Sequence, residues 1–265
     1  MLAVPQINPE YLRRAAKAPD IATLKQRAYK ELKLNTGNYV VDVGCGPAID
    51  TPALAKIVGP TGTVLGIDGD PAMVADANRV SIESGIGLYT KHEVGDATRL
   101  AVERNSVDAV YCERVLQHIP YARCPNAVDE MLRVLKPGGR LVIVDTDWAT
   151  LSIATDNPFL ERNIVLEHTR GFQNPYSGRY LPALLREAKH TIDDATFEPI
   201  AIRVTYESAV FLLGATIRRS VLTGRMSGLS AEHFASALEG ARNYQIWSAH
   251  LIMMMATATK RRWSS

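Results

Sequence analysis

The chain has 265 residues, 46% of them hydrophobic, and its 30 basic and 28 acidic side chains leave a formal net charge of +2. That length and apolar content suit one core domain with elaborations rather than two full domains. The weak charge, with its only dense basic cluster at Lys260-Arg261-Arg262, argues against a nucleic-acid footprint, and no apolar run approaches the roughly 20 residues of a membrane span.

Three cysteines, Cys45, Cys112 and Cys124, lack C-x-x-C spacing and predict neither a disulfide framework nor a zinc site. Buried thiols in a reducing cytoplasm are the expectation. The stretch MLAVPQINPEYLRR has no charged region followed by a long apolar one, so no signal peptide is read. The six histidines show no paired ligand spacing, and no metal is expected.

Residues 8–34 are helical in character, divided at Pro19, with Asp20 able to cap the second piece. Tyr39 to Val43 predicts a buried strand ending in the turn Gly44-Cys45-Gly46. Thr51 then caps a helix that has Pro52 at its first position and runs through Val58. Thr63 to Ile67 is a second strand, Asp70-Pro71 opens a helix to about Ser84, and Gly87 to Val94 is a third strand. Val107 to Cys112, a helix over Cys124 to Leu135, the stop Lys136-Pro137-Gly138-Gly139 and a strand over Arg140 to Asp145 complete the alternation. Strands alternating with helices predict right-handed crossovers and a parallel sheet. Further on, helices are read over Phe159 to Arg170 and Leu181 to Lys189, with a loop at Asn174 to Gly178 between them. A strand is read over Thr196 to Thr205, and two more helices over Ser208 to Thr223 and Ala231 to Asn243. Ile246 to Thr257 reads as a final strand, so the last two helices would form a lid rather than a domain of their own. One domain is expected over 1–265, made of N-terminal helices (1–35), a cofactor-binding core (36–148) and a lid with sheet completion (149–265).

A G-x-G turn at the carboxyl end of a parallel strand lets the backbone approach a nucleotide-like cofactor. Asp68, ending the second strand, can accept hydrogen bonds from ribose hydroxyls, as a dinucleotide site would also arrange. Asp96 can accept from an adenine amino group while the Ala97 amide bonds a ring nitrogen. Each of these residues also has a purely structural reading as a turn or capping group. The dinucleotide alternative is weakened because Ile49 stands where G-x-G-x-x-G needs glycine.

Taken together, VVDVGCGPAIDT, VLGIDGDPAMV, VGDATRL, VDAVYCERVLQHI and MLRVLKPGGRLVIVDTDW resemble the class I S-adenosylmethionine-dependent methyltransferases. The similarity is to the small-molecule branch, which includes ubiquinone/menaquinone methyltransferase-like enzymes, and it covers about residues 36–148. The resemblance implies a Rossmann-like α/β fold: a seven-stranded, mostly parallel sheet with helices on both faces, an antiparallel last strand and helical lid insertions. It implies S-adenosylmethionine as cofactor and S-adenosylhomocysteine as product. Asp42, Gly44, Cys45 and Gly46 would surround the methionine portion. Asp68, with Gly69 and Met73 beside it, would hold the ribose. Asp96 and Ala97 would read the adenine, and Glu113 would lie near the amino acid tail. Ala48 replaces the family's third glycine, and its methyl group predicts a shifted backbone there.

The acceptor side is read from the loop after the fourth strand and the end of the fifth. His118 has an intrinsic pKa suited to a general base, or it packs structurally. Asp147 is a second candidate base or amine ligand. Arg114, Gln117, Trp148 and Tyr176 are candidate substrate contacts, with Arg114 pairing either an acidic substrate or Glu113. The resulting expectation is methyl transfer to oxygen, nitrogen or carbon of a small molecule of specialised metabolism in the cytoplasm, with a homodimer possible. A cofactor-binding cyclase or rearrangement enzyme and a macromolecule methyltransferase are the alternatives.

Overall fold

The structure is a computed structural model and describes residues 9–262. Two helices, α1 (Pro9–Ala16) and α2 (Pro19–Glu31), precede β1 (Tyr39–Val43). There follow α3 (Thr51–Val58), β2 (Thr63–Asp68), α4 (Pro71–Glu83), β3 (Thr90–Val94), β4 (Val107–Glu113), α5 (Cys124–Val134) and β5 (Leu135–Ile153). The remainder is α6 (Pro158–Thr169), α7 (Ser177–Arg186), β6 (Ile192–Arg203), α8 (Tyr206–Leu222), α9 (Gly228–Asn243) and β7 (Ala249–Lys260).

All seven strands join one sheet in the order β3-β2-β1-β4-β5-β7-β6. The first five pair in parallel, and β7 runs antiparallel to both β5 and β6. The order reverses at β1 and β4, so their carboxyl ends diverge there and leave a crevice. The side-chain period of two then divides the core. Val40, Ala109, Tyr111, Val142 and Val144 pack with α2, α3, α6, α8 and α9. Val41, Val43, Val110, Leu141 and Ile143 pack on the other face with α5 and α7.

Three local readings are corrected. The last strand of the parallel set runs from Leu135 to Ile153, well past Asp145, because the antiparallel neighbour β7 supplies partners as far as Ala249. Asp50, not Thr51, is the residue before α3, and it makes no side-chain cap because its carboxylate is turned to α2. Asp20 does not cap α2 either; it accepts from the backbone and guanidinium of Arg203 on β6. The edge strand β6 carries Pro199, a register shift between Asp193 and Thr196, and mostly exposed positions, features that blunt edge-to-edge pairing. Among the described residues no helix is long and apolar enough to cross a membrane, and no cluster of metal-ligating side chains occurs.

Candidate active site

The edge at the carboxyl ends of the parallel strands is built by the turn after β1. Gly44 and Gly46 have φ of 75° and 51°, the left-handed region that favours glycine. A Cβ on Gly44 would lie 2.1 Å from Val115 Cγ2, whereas one on Gly46 would meet nothing closer than Leu12 Cδ1 at 3.9 Å. Gly44 is thus required by packing of the β4 loop, and Gly46 keeps the turn open. Ala48 adopts φ of 60° and is buried, so the chain keeps a left-handed backbone there despite the methyl group.

Asp68 closes the turn from β2. Its Oδ2 accepts from the Gly46 amide at 2.8 Å, and its Oδ1 accepts from the Asp70 amide at 2.9 Å. Gly69 is exposed beside it, and Met73 is half-buried in the first turn of α4. Cys45 is buried, its sulfur abutting the Cβ side of Gly66, and burial pushes its thiol pKa upward. One strand over, Asp96 Oδ1 accepts from the Thr98 amide and hydroxyl at 2.8 Å each, and Oδ2 accepts from Arg123 at 2.9 Å. The Thr98 amide bond, more than any other contact, holds the Asp96 carboxyl below the usual range. The structure therefore brings Gly44, Gly46, Asp68, Asp96, Ala97 and Glu113 to one edge, on the ends of β1, β2, β3 and β4.

Beneath this edge lies a polar cluster that motif reading missed. Lys25, 5% exposed on α2, donates to Asp50 at 2.8 and 3.0 Å and to Glu113 at 2.6 Å. Tyr29 donates to Asp50, and Tyr111 donates to Glu113. Asp42 faces the same interior, 2% exposed. Burial, reinforced by Asp50, raises the Asp42 pKa well above the carboxylate range. Burial also raises Asp50, with Lys25 opposing it. For Glu113 the burial penalty is outweighed by Lys25 and Arg114, and its pKa falls. A lysine and a tyrosine spaced i, i+4 on the apolar stripe Ile21, Leu24, Ala28 and Leu32 were the available signal.

A cavity of about 70 Å³ opens on the neighbouring part of the edge, between α1, α2, α8 and the ends of β5, β6 and β7. Arg114, Thr146 and Trp148 line its floor, and Tyr11, Ile21, Leu212, Leu251 and Met253 line its walls. Arg114 follows Glu113 directly and has φ of 56°, unusual for a residue with a side chain. Trp148 is stacked on Phe172 with ring centroids 4.8 Å apart, and its indole N–H donates to Gln117 Oε1 at 2.8 Å.

Arg114 and Trp148 thus reach this cleft, but His118, Asp147, Gln117 and Tyr176 do not line it. Strand parity explains Asp147, which shares the opposite face with Asp145 and binds Arg179 at 2.6 and 2.8 Å. Such a bidentate pair on the α7 side leaves it unsuited to the base role expected of it. Gln117 orients Trp148, and Tyr176 stands before α7 beneath the Arg179 guanidinium, 5.0 Å from its ring centre. His118 is exposed on the rim, its Nε2 3.0 Å from the Gln117 amide nitrogen. Crowding of the ring by protein, aided by the nearby Arg114 charge, lowers its pKa while Asp68 opposes the shift. It is therefore neutral at physiological pH and open to a proton.

The helix α1 spans both regions. Arg13 bonds the Pro47 carbonyl at 3.2 Å and pairs with Asp76 on α4, while Tyr11 stacks on Phe211 of α8 with ring centres 3.5 Å apart. No α1 residue is fully buried.

The comparisons agree with this architecture. Residues 40–139 match the family model described as a methyltransferase domain. An uncharacterized 37.1 kDa protein in transposon TN4556 of Streptomyces fradiae is 32% identical over 244 residues, covering 87% of this chain and 68% of that protein. Demethylmenaquinone methyltransferase of Staphylococcus aureus is 38% identical over 129 residues, 49% of this chain; the chain spans about half, 52%, of that relative's length. Among solved structures, the [4+2]-cyclase SpnF superposes with a TM-score of 0.58 at 20% identity, over 92% of this chain and 82% of the other. At that identity the likeness shows the fold alone, and a fold does not fix chemistry. The chain belongs to the class I S-adenosylmethionine-dependent methyltransferases, in the small-molecule branch. It is an enzyme, and its cofactor is S-adenosylmethionine.

The residues present fit that cofactor. Asp42 Oδ2 and Glu113 Oε1 are buried acceptor atoms with no hydrogen-bond partner among the described residues. Both sit at the edge where the cofactor's cationic amino acid end would lie; Glu113 Oε1 already faces the Arg114 guanidinium at 3.3 Å, so Asp42 Oδ2 is the oxygen left without a charged or hydrogen-bonding partner there among the described residues.

Proposed function

We propose that the protein methylates an oxygen or an acidic carbon of a small organic acceptor held in the Arg114–Trp148 cleft. The observation that supports this most is the junction at the end of β4. Glu113 joins the buried cluster under the cofactor edge, and the next residue, Arg114, lines the acceptor cleft. Two ligands on either side of that peptide meet at one point.

When bound, S-adenosylmethionine supplies a methyl group on a sulfonium whose departure leaves a neutral thioether, so no acid is needed for the leaving group. The chain's task is alignment, worth roughly 7–11 kcal/mol in favourable cases. Trp148, fixed by Gln117 and Phe172, gives the acceptor a rigid aromatic wall. Tyr11 and α1 close over the cleft and exclude water. His118, four residues beyond Arg114 and with its ring centre 6.0 Å from that of Phe172, the ring that backs Trp148, is assigned the proton released by an acidic acceptor. A nitrogen acceptor is disfavoured because Asp147, the carboxylate that would have met an amine, is committed to Arg179.

Three buried free cysteines support a reducing, cytoplasmic setting. The absence of a dense basic patch beyond the chain end argues against nucleic acid as acceptor. Calorimetric titration with S-adenosylhomocysteine tests the cofactor half of this reading. Micromolar binding that collapses in Asp68→Ala supports it; absence of binding to the natural protein overturns it.

A further inference from the structure

The charge arrangement of the acceptor cleft specifies the kind of molecule it takes, an inference that rests on the methyl-transfer reading above. Only two charged side chains line the cavity, Arg114 and Arg203, and no carboxylate does among the described residues. Arg203 is consumed: its Nε and Nη2 donate to Asp20 at 2.9 and 2.7 Å. Arg114 is not. Its single ion pair is a sideways one, Nε to Glu113 Oε1 at 3.3 Å, and its terminal amino groups have no hydrogen-bond partner among the described residues. Glu113 cannot absorb the Arg114 charge alone, because its Oε2 already accepts from Lys25 and Tyr111.

Geometry makes this cation available to a ligand rather than to water. The Arg114 side chain is 25% exposed, and its left-handed backbone is held by the amide bond to the Val144 carbonyl at 2.8 Å. A strained backbone kept in place beside a cleft is a device for aiming a side chain. Around it the walls are largely apolar, Ile21, Leu212, Leu251 and Met253 with the Trp148 face, and the neutral polar groups of the lining are the hydroxyls of Tyr11, Thr146, Thr205 and Ser208. A guanidinium with two unused amino groups matches a planar oxyanion bidentately.

We propose that the acceptor is an anion with an apolar, ring-sized body: a carboxylate, or an ionised phenol or enol, that faces Arg114 while its body lies against Trp148. The cavity of about 70 Å³ is smaller than such a body, since a cavity of roughly 150 Å³ is needed for benzene. Entry therefore requires α1 to shift, as its lack of fully buried residues permits.

The test uses probes of one shape and three charges. The protein saturated with S-adenosylhomocysteine is titrated with 1-naphthoate, 1-naphthalenemethanol and 1-naphthylmethylammonium. The expected result is that naphthoate binds at least about tenfold more tightly than the alcohol and that the ammonium binds most weakly. Arg114→Gln removes the preference, Arg114→Lys keeps part of it, and Arg79→Gln, on the exposed face of α4 outside the cleft, leaves it intact. In the natural protein the naphthoate affinity falls with added salt while the alcohol affinity does not, a readout that needs no variant. Equal binding of acid and alcohol, tighter binding of the ammonium, or failure of all three to bind overturns the proposal. Repeating the naphthoate titration without S-adenosylhomocysteine separates this from a failure of cofactor binding, which would count against the methyl-transfer reading instead.

Discussion

Replacing Lys25 by methionine is the sharpest perturbation of the buried cluster. The ammonium is the hydrogen-bonded cation between Asp50 and Glu113, at 2.8 and 2.6 Å, with both carboxylates fully enclosed. Methionine matches the stem in length but supplies no charge, so two buried carboxylates lose their compensation. Breaking a buried pair by removing one partner costs about 3–5 kcal/mol. The sign with pH follows from Glu113, whose pKa lies below the ordinary value because of Lys25 and Arg114. In Lys25→Met burial would dominate, and the folded-state pKa of Glu113 would rise above its unfolded value. A carboxyl with a raised folded pKa destabilises increasingly as pH climbs past the unfolded value. The deficit of Lys25→Met is therefore larger at pH 8 than at pH 5.5. Urea unfolding at both pH values measures it, and adding Glu113→Gln to the variant restores part of the loss. A Lys25→Met protein within about 1 kcal/mol of the natural one at pH 8 would refute the reasoning, because the expected cost of an uncompensated buried charge is several times that.

Other consequences are accessible to the same kinds of measurement. Gly44→Ala collides with Val115 Cγ2; overpacking costs about 1–3 kcal/mol and the left-handed backbone about 1–2 kcal/mol more, so thermal stability falls and S-adenosylhomocysteine binding weakens, while adding Val115→Ala recovers the overpacking part. His168 is buried beside Trp148, and burial lowers its pKa to about 4. Since the unfolded state alone takes up the proton between pH 6.5 and 4, stability is full above that window and drops by about 3 kcal/mol across it. His168→Gln should flatten that part of the stability–pH curve, leaving the slope from His92, also lowered to about 4 by burial. Tyr11→Ala removes the stack on Phe211; aromatic pairs are worth about 0.5–1.5 kcal/mol, so hydrogen exchange in α1 should speed up about 2- to 13-fold.

Much of the candidate cofactor edge, as an arrangement of strand ends and turns, was legible because its pattern is local. The run Tyr39 to Gly46 encodes a buried strand and a turn within a few residues, and Asp68 and Asp96 end the strands that follow. The first five strands were recognisable from their alternation with helices. What escaped is tertiary. Lys25, Asp50 and Glu113 come from α2, the start of α3 and β4, and only the packed sheet brings them together. The face on which Asp147 lies depends on how far β5 extends. Had β5 been carried past Asp145, its parity would have set Asp145 and Asp147 on one face and Thr146 and Trp148 on the other. The strand's true length depended on β7, more than a hundred residues later, and no local pattern reports such a partner. Ala48, at the departure from the glycine pattern, adopts a left-handed φ of 60° that its residue type does not announce.

The central claim is that the β4 junction brings cofactor and acceptor together for methyl transfer. It is tested most directly by incubating the protein with S-adenosylmethionine carrying a trideuteromethyl group and a mixture of small organic acids. The account predicts an acid that gains the intact trideuteromethyl group, with formation of S-adenosylhomocysteine, and loss of both in Arg114→Gln. An acid converted to an isomer of unchanged mass, with no S-adenosylhomocysteine formed, would contradict it.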